Sequence, residues 1–145
     1  MTQENIMLLM IDLSGRLPYN IRCKVKYVVN NETTDGKDIE TERTDVIKRI
    51  NLDNFSVYTE SLGTESGIED IRPYLRPLSS MTEKEEDEFK EVLELSLKAL
   101  EEPEGHTIVS AASSAFEIDF YNRHHFDYRG LIQKGLAVKE SNPYK

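Results

Sequence analysis

The first repeating pattern of apolar residues lies near the N-terminus and predicts an amphipathic helix over residues 3–17. Pro18 cannot continue a helix, so it predicts where this element ends. The six-residue apolar run Ile6–Ile11 is also compatible with a buried strand, but the spacing favours the helix. The apolar positions that carry the pattern lie three or four residues apart: Ile6, Leu9, Met10, Leu13 and Leu17.

Alternation with a period of two follows over residues 21–29 and predicts a strand with one buried face. The polar stretch 30–37 contains Asp35-Gly36 and predicts a turn, so a returning strand is expected within residues 39–52. Residues 55–59 predict a third strand after a turn at 51–54. Three strands joined by short connections indicate an antiparallel meander. The face predicted to be buried carries Ile21, Cys23, Val25, Tyr27 and Val29.

The segment 68–81 contains Pro73 and Pro77, which we expect to exclude both a regular helix and a central strand. It is therefore interpreted as an extended crossing segment. Thr82 and Glu85 form a capping-box pattern and predict a helix over residues 82–101. A further helix is expected from about residue 114 to 125, followed by turns, a short extended stretch at 136–138 and a frayed tail at 140–145.

Together these patterns predict an α+β fold with a single core. Its parts are an N-terminal helix, an antiparallel three- to four-stranded sheet and two C-terminal helices, in one domain spanning residues 1–139. The residues predicted to form the core are Leu9, Leu13, Val25, Tyr27, Phe89, Leu93, Leu97 and Phe116.

Composition narrows the classes of protein that this chain can belong to. The chain has 145 residues with a single cysteine, so it has no internal disulfide. Its longest apolar run is six residues, too short to span a bilayer or to form a signal peptide, and we expect a cytoplasmic protein without membrane contact. The net charge of −9 argues against a protein that coats nucleic acid.

Most of this negative charge is concentrated in one region. Residues 83–104 hold ten acids and three bases, a net −7, whereas the rest of the chain is nearly balanced. Such a run is typical of the solvated face of a surface helix, and it can also serve as a docking face for a basic partner. The residues predicted for an interaction surface are Glu85, Glu88, Glu91 and Glu94, together with Tyr128.

Three segments resemble a family of small uncharacterised proteins of gut anaerobic bacteria and of their phages and prophages. They are RLPY, which starts at Arg16, IRPYLRPLSSMTEKE, which starts at Ile71, and NRHHFDYRGLIQKGLA, which starts at Asn122. The family has no established activity, so the resemblance implies an origin in a mobile element and an intracellular setting. It supplies no catalytic residues. The partner expected for an interaction module of this kind is an unidentified host or phage protein.

The residues best suited to chemistry are His124, His125 and Asp127, which could hold a divalent metal in a metal-dependent hydrolase. Adjacent histidines on a regular helix point about 100° apart, which disfavours a shared ion. We therefore expect no cofactor or metal and no catalytic residue. The alternative is that His125 caps the helix end while His124 is solvated.

The two longer distinctive segments also suggest a structural latch. Arg72 and Arg76 are natural partners for Asp127, and Arg129 can donate several hydrogen bonds to carbonyls of the crossing segment. The latch hypothesis predicts that residues 72–81 pack beside residues 126–132, with Asp127 or Arg129 joining the chain to itself.

A last candidate surface is the polar face of the first strand, which carries Arg22, Lys24 and Lys26, with Lys48 and Arg49 on the next strand. A basic sheet face with aromatic residues can bind single-stranded nucleic acid. Tyr27 falls on the opposite face, so no stacking platform is expected. The sequence thus favours a non-catalytic protein-interaction module, with a nucleic-acid-binding module and a metal-dependent hydrolase as alternatives.

Overall fold

The structure, a computed structural model, describes residues 1–30, 35–99 and 106–140. It confirms a mixed α+β fold that begins with a helix and continues into a sheet. Short 3₁₀ turns at Leu17–Tyr19, Ile68–Asp70 and Leu78–Ser80 connect some of the elements. The helices are α1 (Gln3–Arg16), α2 (Glu83–Ala99) and α3 (His106–Arg123), and the strands are β1 (Arg22–Val29), β2 (Ile39–Asn51), β3 (Ser56–Thr59), β4 (Glu65–Gly67), β5 (Ile71–Pro77), β6 (Phe126–Asp127) and β7 (Val138–Lys139).

The sheet is larger than the sequence predicted, with seven strands in the described part of the chain instead of three or four. Their order is β4-β3-β2-β1-β5-β6, and β7 also pairs with β5. The pairs from β4 to β5 are antiparallel, as expected for a meander, but β6 and β7 both run parallel to β5. Apart from β5, the additional strands are two or three residues long, too short for an alternating pattern to be recognised in the sequence.

The interpretation of residues 68–81 as a crossing segment without strand pairing is wrong. Residues Ile71–Pro77 form β5, which pairs with β1 and with the short strands β6 and β7. Pro73 is tolerated because it lies opposite Cys23. The carbonyl of Ile21 accepts a hydrogen bond from the Ile47 amide, so the backbone groups of odd-numbered β1 residues point towards β2. No N–H is therefore needed from Pro73 on its β1 side.

The core lies between α1 and one face of the sheet. Leu9, Leu13 and Val25 are completely buried there, as predicted. Phe116, by contrast, is 46% exposed, so its assignment to the core is wrong. Tyr27, Phe89 and Leu93 are only half-buried, and the side chain of Leu97 lies outside the described part of the structure. The buried apolar cluster is formed by Leu9, Met10, Leu13, Ile21, Cys23, Val25, Ile47, Val57, Ile68, Ile71, Leu75, Leu131, Leu136 and Ala137.

The C-terminal helices pack against each other and against β6. Helix α3 begins at His106, earlier than the predicted residue 114, and ends at Arg123. Phe89 of α2 contacts Phe120 and Tyr121 of α3, with ring centroids 5.0 and 5.6 Å apart. This aromatic contact joins the acidic helix to the rest of the molecule.

The predicted frayed tail begins one residue too early. The Glu140 amide donates a hydrogen bond of 2.8 Å to the Leu75 carbonyl, so this residue extends the β5–β7 pairing. Residues 141–145 of the predicted tail lie outside the described residues. None of the helices in the described ranges is long and apolar enough to cross a membrane.

Candidate functional site

The distinctive segments of the sequence meet where β5, the start of α2 and the end of α3 come together. Arg76 of β5 donates two hydrogen bonds to the Glu85 carboxylate, at 2.6 and 2.7 Å, and a third to the Ser80 carbonyl at 3.0 Å. Both charged side chains are largely buried, with exposed fractions of 8% and 13%. A bidentate, buried pair of this kind fixes the start of α2 on the sheet.

Glu85 also completes the predicted capping box. Its carboxylate accepts a hydrogen bond from the Thr82 amide at 3.0 Å, and the Thr82 hydroxyl accepts one from the Glu85 amide at 3.2 Å. Hydrogen bonds from Arg76 in the first place, and from Thr82, lower the pKa of Glu85 from 4.5 to about 2, although burial acts in the opposite direction. Glu85 is therefore a structural residue, and its assignment to an exposed interaction surface is wrong.

His124 lies beside this ion pair. Its Nδ1 atom is 3.3 Å from Glu85 Oε2, and its Nε2 atom is 3.7 Å from Glu88 Oε2. The ring also packs on Phe120, at 4.5 Å between centroids. Burial lowers the pKa of His124 more than the Glu85 carboxylate raises it, so the imidazole is mainly neutral at pH 7. The expectation that His124 is solvated is wrong.

His125 lies two residues beyond the end of α3, in a left-handed conformation with φ of 61°. It is only 7% exposed, and its carbonyl accepts a hydrogen bond of 2.8 Å from the Arg76 amide. Burial and, secondarily, the positive charge of Arg16 lower the pKa of His125 from 6.5 to about 3. The side chain is therefore a neutral, buried group at the junction of α3 and β5.

The metal ligands that the hydrolase hypothesis requires do not form a cluster among the described residues. No group of three or more His, Cys, Asp or Glu side chains within the described ranges could hold a metal ion. Asp127, the third predicted ligand, accepts hydrogen bonds from the Leu131 and Ile132 amides at 2.8 and 2.9 Å. His106 belongs to a part of α3 whose side chains lie outside the described structure.

The same contacts revise the latch hypothesis. The structure places the two segments side by side, because β5 pairs with β6 at Arg76 and Phe126 and at Pro77 and Asp127. The predicted ion pairs are wrong, since neither arginine of β5 contacts the Asp127 carboxylate in the described structure. Arg76 binds Glu85 instead. Arg72 donates to the carbonyls of Glu69 and Ile71, both at 2.9 Å.

Helix α1 supplies the anchor that sequence reasoning missed. Asp12 and Arg16 form a completely buried ion pair at 2.7 Å, and Arg16 also donates a hydrogen bond of 2.6 Å to the Phe126 carbonyl. Arg129 approaches the other oxygen of Asp12 at 3.3 Å, so it binds α1 and not the carbonyls of β5. The spacing of Asp12 and Arg16, four residues apart on one helix, was the available signal.

Tyr128 belongs to this buried region and not to an open interaction surface. Its ring stacks on Tyr121 with 5.4 Å between centroids. The guanidinium carbons of Arg16 and Arg129 lie 5.4 and 4.9 Å from the ring centre. Half-buried and close to two cations, Tyr128 stabilises the turn that follows α3.

The outer face of α2 has a different character. Glu83, Asp87, Glu91 and Glu94 are exposed and follow one another at helical spacings of four, four and three residues, so they form one line along the helix. We call this line the acidic stripe. In the described structure none of its carboxylates lies within ion-pair distance of a cation. Glu88 is at the edge, with 43% of its side chain exposed near His124.

The basic strand face is largely neutralised by neighbouring acids. Lys24 lies 3.4 Å from Glu42, and Lys26 lies 3.8 and 3.9 Å from Glu40 and Glu42. These cross-strand pairs are typical of an exposed antiparallel sheet. The remaining cations are also engaged: Arg22 with Glu140, Lys48 with Glu60, and Arg49 over the Tyr58 ring.

Tyr74 of β5 nevertheless lies on this face, 5.9 Å from the guanidinium carbon of Arg22. The sequence could not place this aromatic residue there, because β5 was not recognised as a strand. Its presence supplies one ring, while the neighbouring positive charges are balanced by carboxylates. The face therefore lacks the net positive potential on which single-strand binding depends.

The comparisons with known proteins give no further guide to the site. Neither a protein-family model, nor a curated protein, nor a solved structure matches this chain.

Proposed function

We propose that this protein is a non-catalytic protein-interaction module of a phage or prophage, which acts inside the host cell and binds a basic protein surface through the acidic stripe of α2. The observation that supports this proposal most is the unpaired state of Glu83, Asp87, Glu91 and Glu94 in the described structure. On the sheet, by contrast, Glu40, Glu42 and Glu60 are paired with lysines.

The like charges within the stripe do not stabilise its own helix. Like charges three or four residues apart destabilise a helix by about 0.2–0.5 kcal/mol for each pair. The stripe contains three successive pairs of this kind. The helix dipole favours acids only in the first turn, and Asp87, Glu91 and Glu94 lie beyond it. A basic partner would relieve this repulsion.

The contacts that α2 makes with β5 and α3 hold it in one position, as a rigid docking element requires. Arg76 of β5 forms an ion pair with Glu85, and Phe89 packs on two aromatic rings of α3. A partner that binds the stripe would therefore meet a preorganised surface and lose little conformational entropy. Two described side chains that could carry chemistry are enclosed by the fold. His125 is buried, and burial raises the pKa of the fully buried Cys23 to about 12.

The test uses three immobilised proteins and a lysate of the native host. They are the wild type, an α2 variant with Asp87→Lys, Glu91→Lys and Glu94→Lys, and a control with the same change in charge at three other exposed acids. The control substitutions are Asp53→Lys, Glu65→Lys and Glu69→Lys.

The proposal expects a host or phage protein that the wild type and the control retain and the α2 variant loses. The purified pair should then bind with an affinity that weakens as salt is added, because exposed charges are screened. Equal recovery by all three proteins, or retention of no protein by the wild type, would contradict the proposal. Circular dichroism checks that each variant remains folded.

A further inference from the structure

Strand β1 has a free edge along its second half. It pairs with β2 over its whole length, Arg22–Val29, but with β5 only at Cys23, Lys24 and Val25. The chain leaves the sheet in the 3₁₀ turn Ile68–Asp70, just before β5. Residues 26–29 therefore belong to a two-stranded ribbon with one side open.

The direction of the backbone groups shows which residues face this opening. The hydrogen bond of 3.0 Å from the Ile47 amide to the Ile21 carbonyl directs the odd-numbered residues of β1 towards β2. Consequently the N–H and C=O groups of Lys26 and Val28 point to the open edge. Among the described residues, no neighbouring strand pairs with these groups.

The ribbon also exposes two large apolar residues. Val28 is 62% exposed, and Ile39, which pairs with Val29 across the ribbon, is 47% exposed. A depression of about 320 Å³ lies along the same edge and is lined by Lys26, Tyr27, Val28, Glu40 and Asp70. An open strand edge with exposed apolar residues is a template for pairing with another chain.

We propose that this edge pairs with the same edge of a second copy of the chain, antiparallel and around a two-fold axis at Val28. Directly opposite residues of an antiparallel pair share one face, and only Lys26, Val28 and Asn30 present backbone groups to this side. A two-fold axis at Val28 pairs these residues with one another. It places Val28 opposite Val28, and Lys26 opposite Asn30 of the second copy.

The side chains on this edge complement themselves in that register. The exposed Val28 side chains meet each other, and Tyr27 meets Val29 of the second copy. The Asn30 amide donates a hydrogen bond of 2.7 Å to the Asp38 carboxylate, so Lys26 approaches a negative charge of the second copy. An axis one residue earlier would place the charged Lys26 opposite Val28. Because apolar residues of the two copies face each other in this register, a second copy fits this edge better than an unrelated peptide.

The dimer should be weak and strengthened by salt. Pairing of a few residues buries less than the roughly 1,200 Å² of a stable interface. Each copy also carries a net charge of −9, so the two copies repel each other at low ionic strength. Association should therefore become visible only at high protein concentration.

Sedimentation velocity from about 1 µM to about 1 mM protein measures this association. Val28→Lys brings two lysines together at the axis and should weaken dimerisation by about tenfold or more. Leu52→Lys is the matched control, because Leu52 is 63% exposed in the turn after β2, away from the edge. This control should dimerise as the wild type does.

A cysteine variant tests the register itself. Val28→Cys places two thiols across the axis, at a Cα distance of roughly 5.5 Å that a disulfide can bridge, and oxidised glutathione accepts the two electrons. Cys23 does not interfere, because it is completely buried and its pKa is about 12. Val28→Cys should cross-link at lower protein concentration than the control Leu52→Cys.

Each possible outcome either supports or overturns the proposed dimer. Concentration-dependent dimers that Val28→Lys abolishes and Val28→Cys traps support the proposal. A wild type that remains monomeric throughout, or equal cross-linking of Val28→Cys and Leu52→Cys, overturns it. In that case the remaining candidate to pair with this edge is an extended peptide of another protein.

Discussion

The pair of Arg76 and Glu85 allows the energetic role of the start of α2 to be measured. Glu85→Gln keeps the size and the capping-box geometry of the side chain, because glutamine can serve at this position. It removes the charge that neutralises Arg76, whose side chain is only 8% exposed. The substitution therefore isolates the ion pair from the cap.

The magnitude follows from the pKa of Glu85, which is about 2 in the folded protein against an ordinary value of 4.5. At about 1.36 kcal/mol for each pKa unit, this difference corresponds to about 3 kcal/mol of folding stability. The lower end of the range for breaking a buried pair, roughly 3–5 kcal/mol, is of the same size. Because the folded-state pKa is depressed, the stabilisation is present above about pH 4.5 and is lost as the pH falls towards about 2.

The measurement is urea-induced unfolding of the wild type and Glu85→Gln at several pH values between 7 and 2.5. At pH 7 the variant should be about 3 kcal/mol less stable, which corresponds to a fall in Tm of about 6–12 °C for a domain of this size. The difference should shrink steadily below pH 4.5. Glu88→Gln is the control, because its side chain is 43% exposed, and it should change the stability by less than about 0.5 kcal/mol.

Two results would refute this reasoning. One is a Glu85→Gln variant as stable as the wild type at pH 7, which would mean that Arg76 does not depend on this partner. The other is a loss of stability that stays constant down to pH 2.5, which would assign the effect to packing instead of charge. The comparison is made at one pH at a time, so titrations shared by both proteins largely cancel.

Three further predictions concern the interior. Arg16→Met should lower the free energy of unfolding by about 3–5 kcal/mol, because it removes the buried hydrogen-bonded partner of Asp12 and leaves only the more distant Arg129, and the double variant with Asp12→Leu should recover much of that loss in urea unfolding. Gly15→Ala should lower the Tm despite the better helix propensity of alanine, since the new Cβ would lie 2.8 Å from the Asn122 amide nitrogen, and Asn122→Ala should restore it. Cys23 should resist iodoacetamide at pH 8 in the folded protein and react after unfolding in urea, as mass spectrometry can show.

Local signals predicted the elements that are long and regular. The helix at the N-terminus, the strand 21–29 and its hairpin partner each contain enough residues for their periodicity to be recognised. The capping box of Thr82 and Glu85 was also predictable, because its interactions are confined to one helical turn. These features depend on neighbours in the chain and need no knowledge of the fold.

Tertiary structure decided which residues face one another. The prolines of β5 argue against a strand when considered alone, yet Pro73 lies at a position where β1 requires no N–H. Glu85 belonged to an acidic run in the sequence, but the fold turns it inward to Arg76 and leaves Glu91 and Glu94 exposed.

The sequence by itself therefore determined the local elements, the capping of α2 and the concentration of negative charge in residues 83–104. Only the tertiary structure decided that Arg16 of α1 reaches the Phe126 carbonyl, 110 residues away, and that half of β1 has a free edge. The physical reason is that helix and strand periodicity arises from neighbouring residues. The partner of a charged side chain or an open strand edge depends on distant segments that meet only after folding.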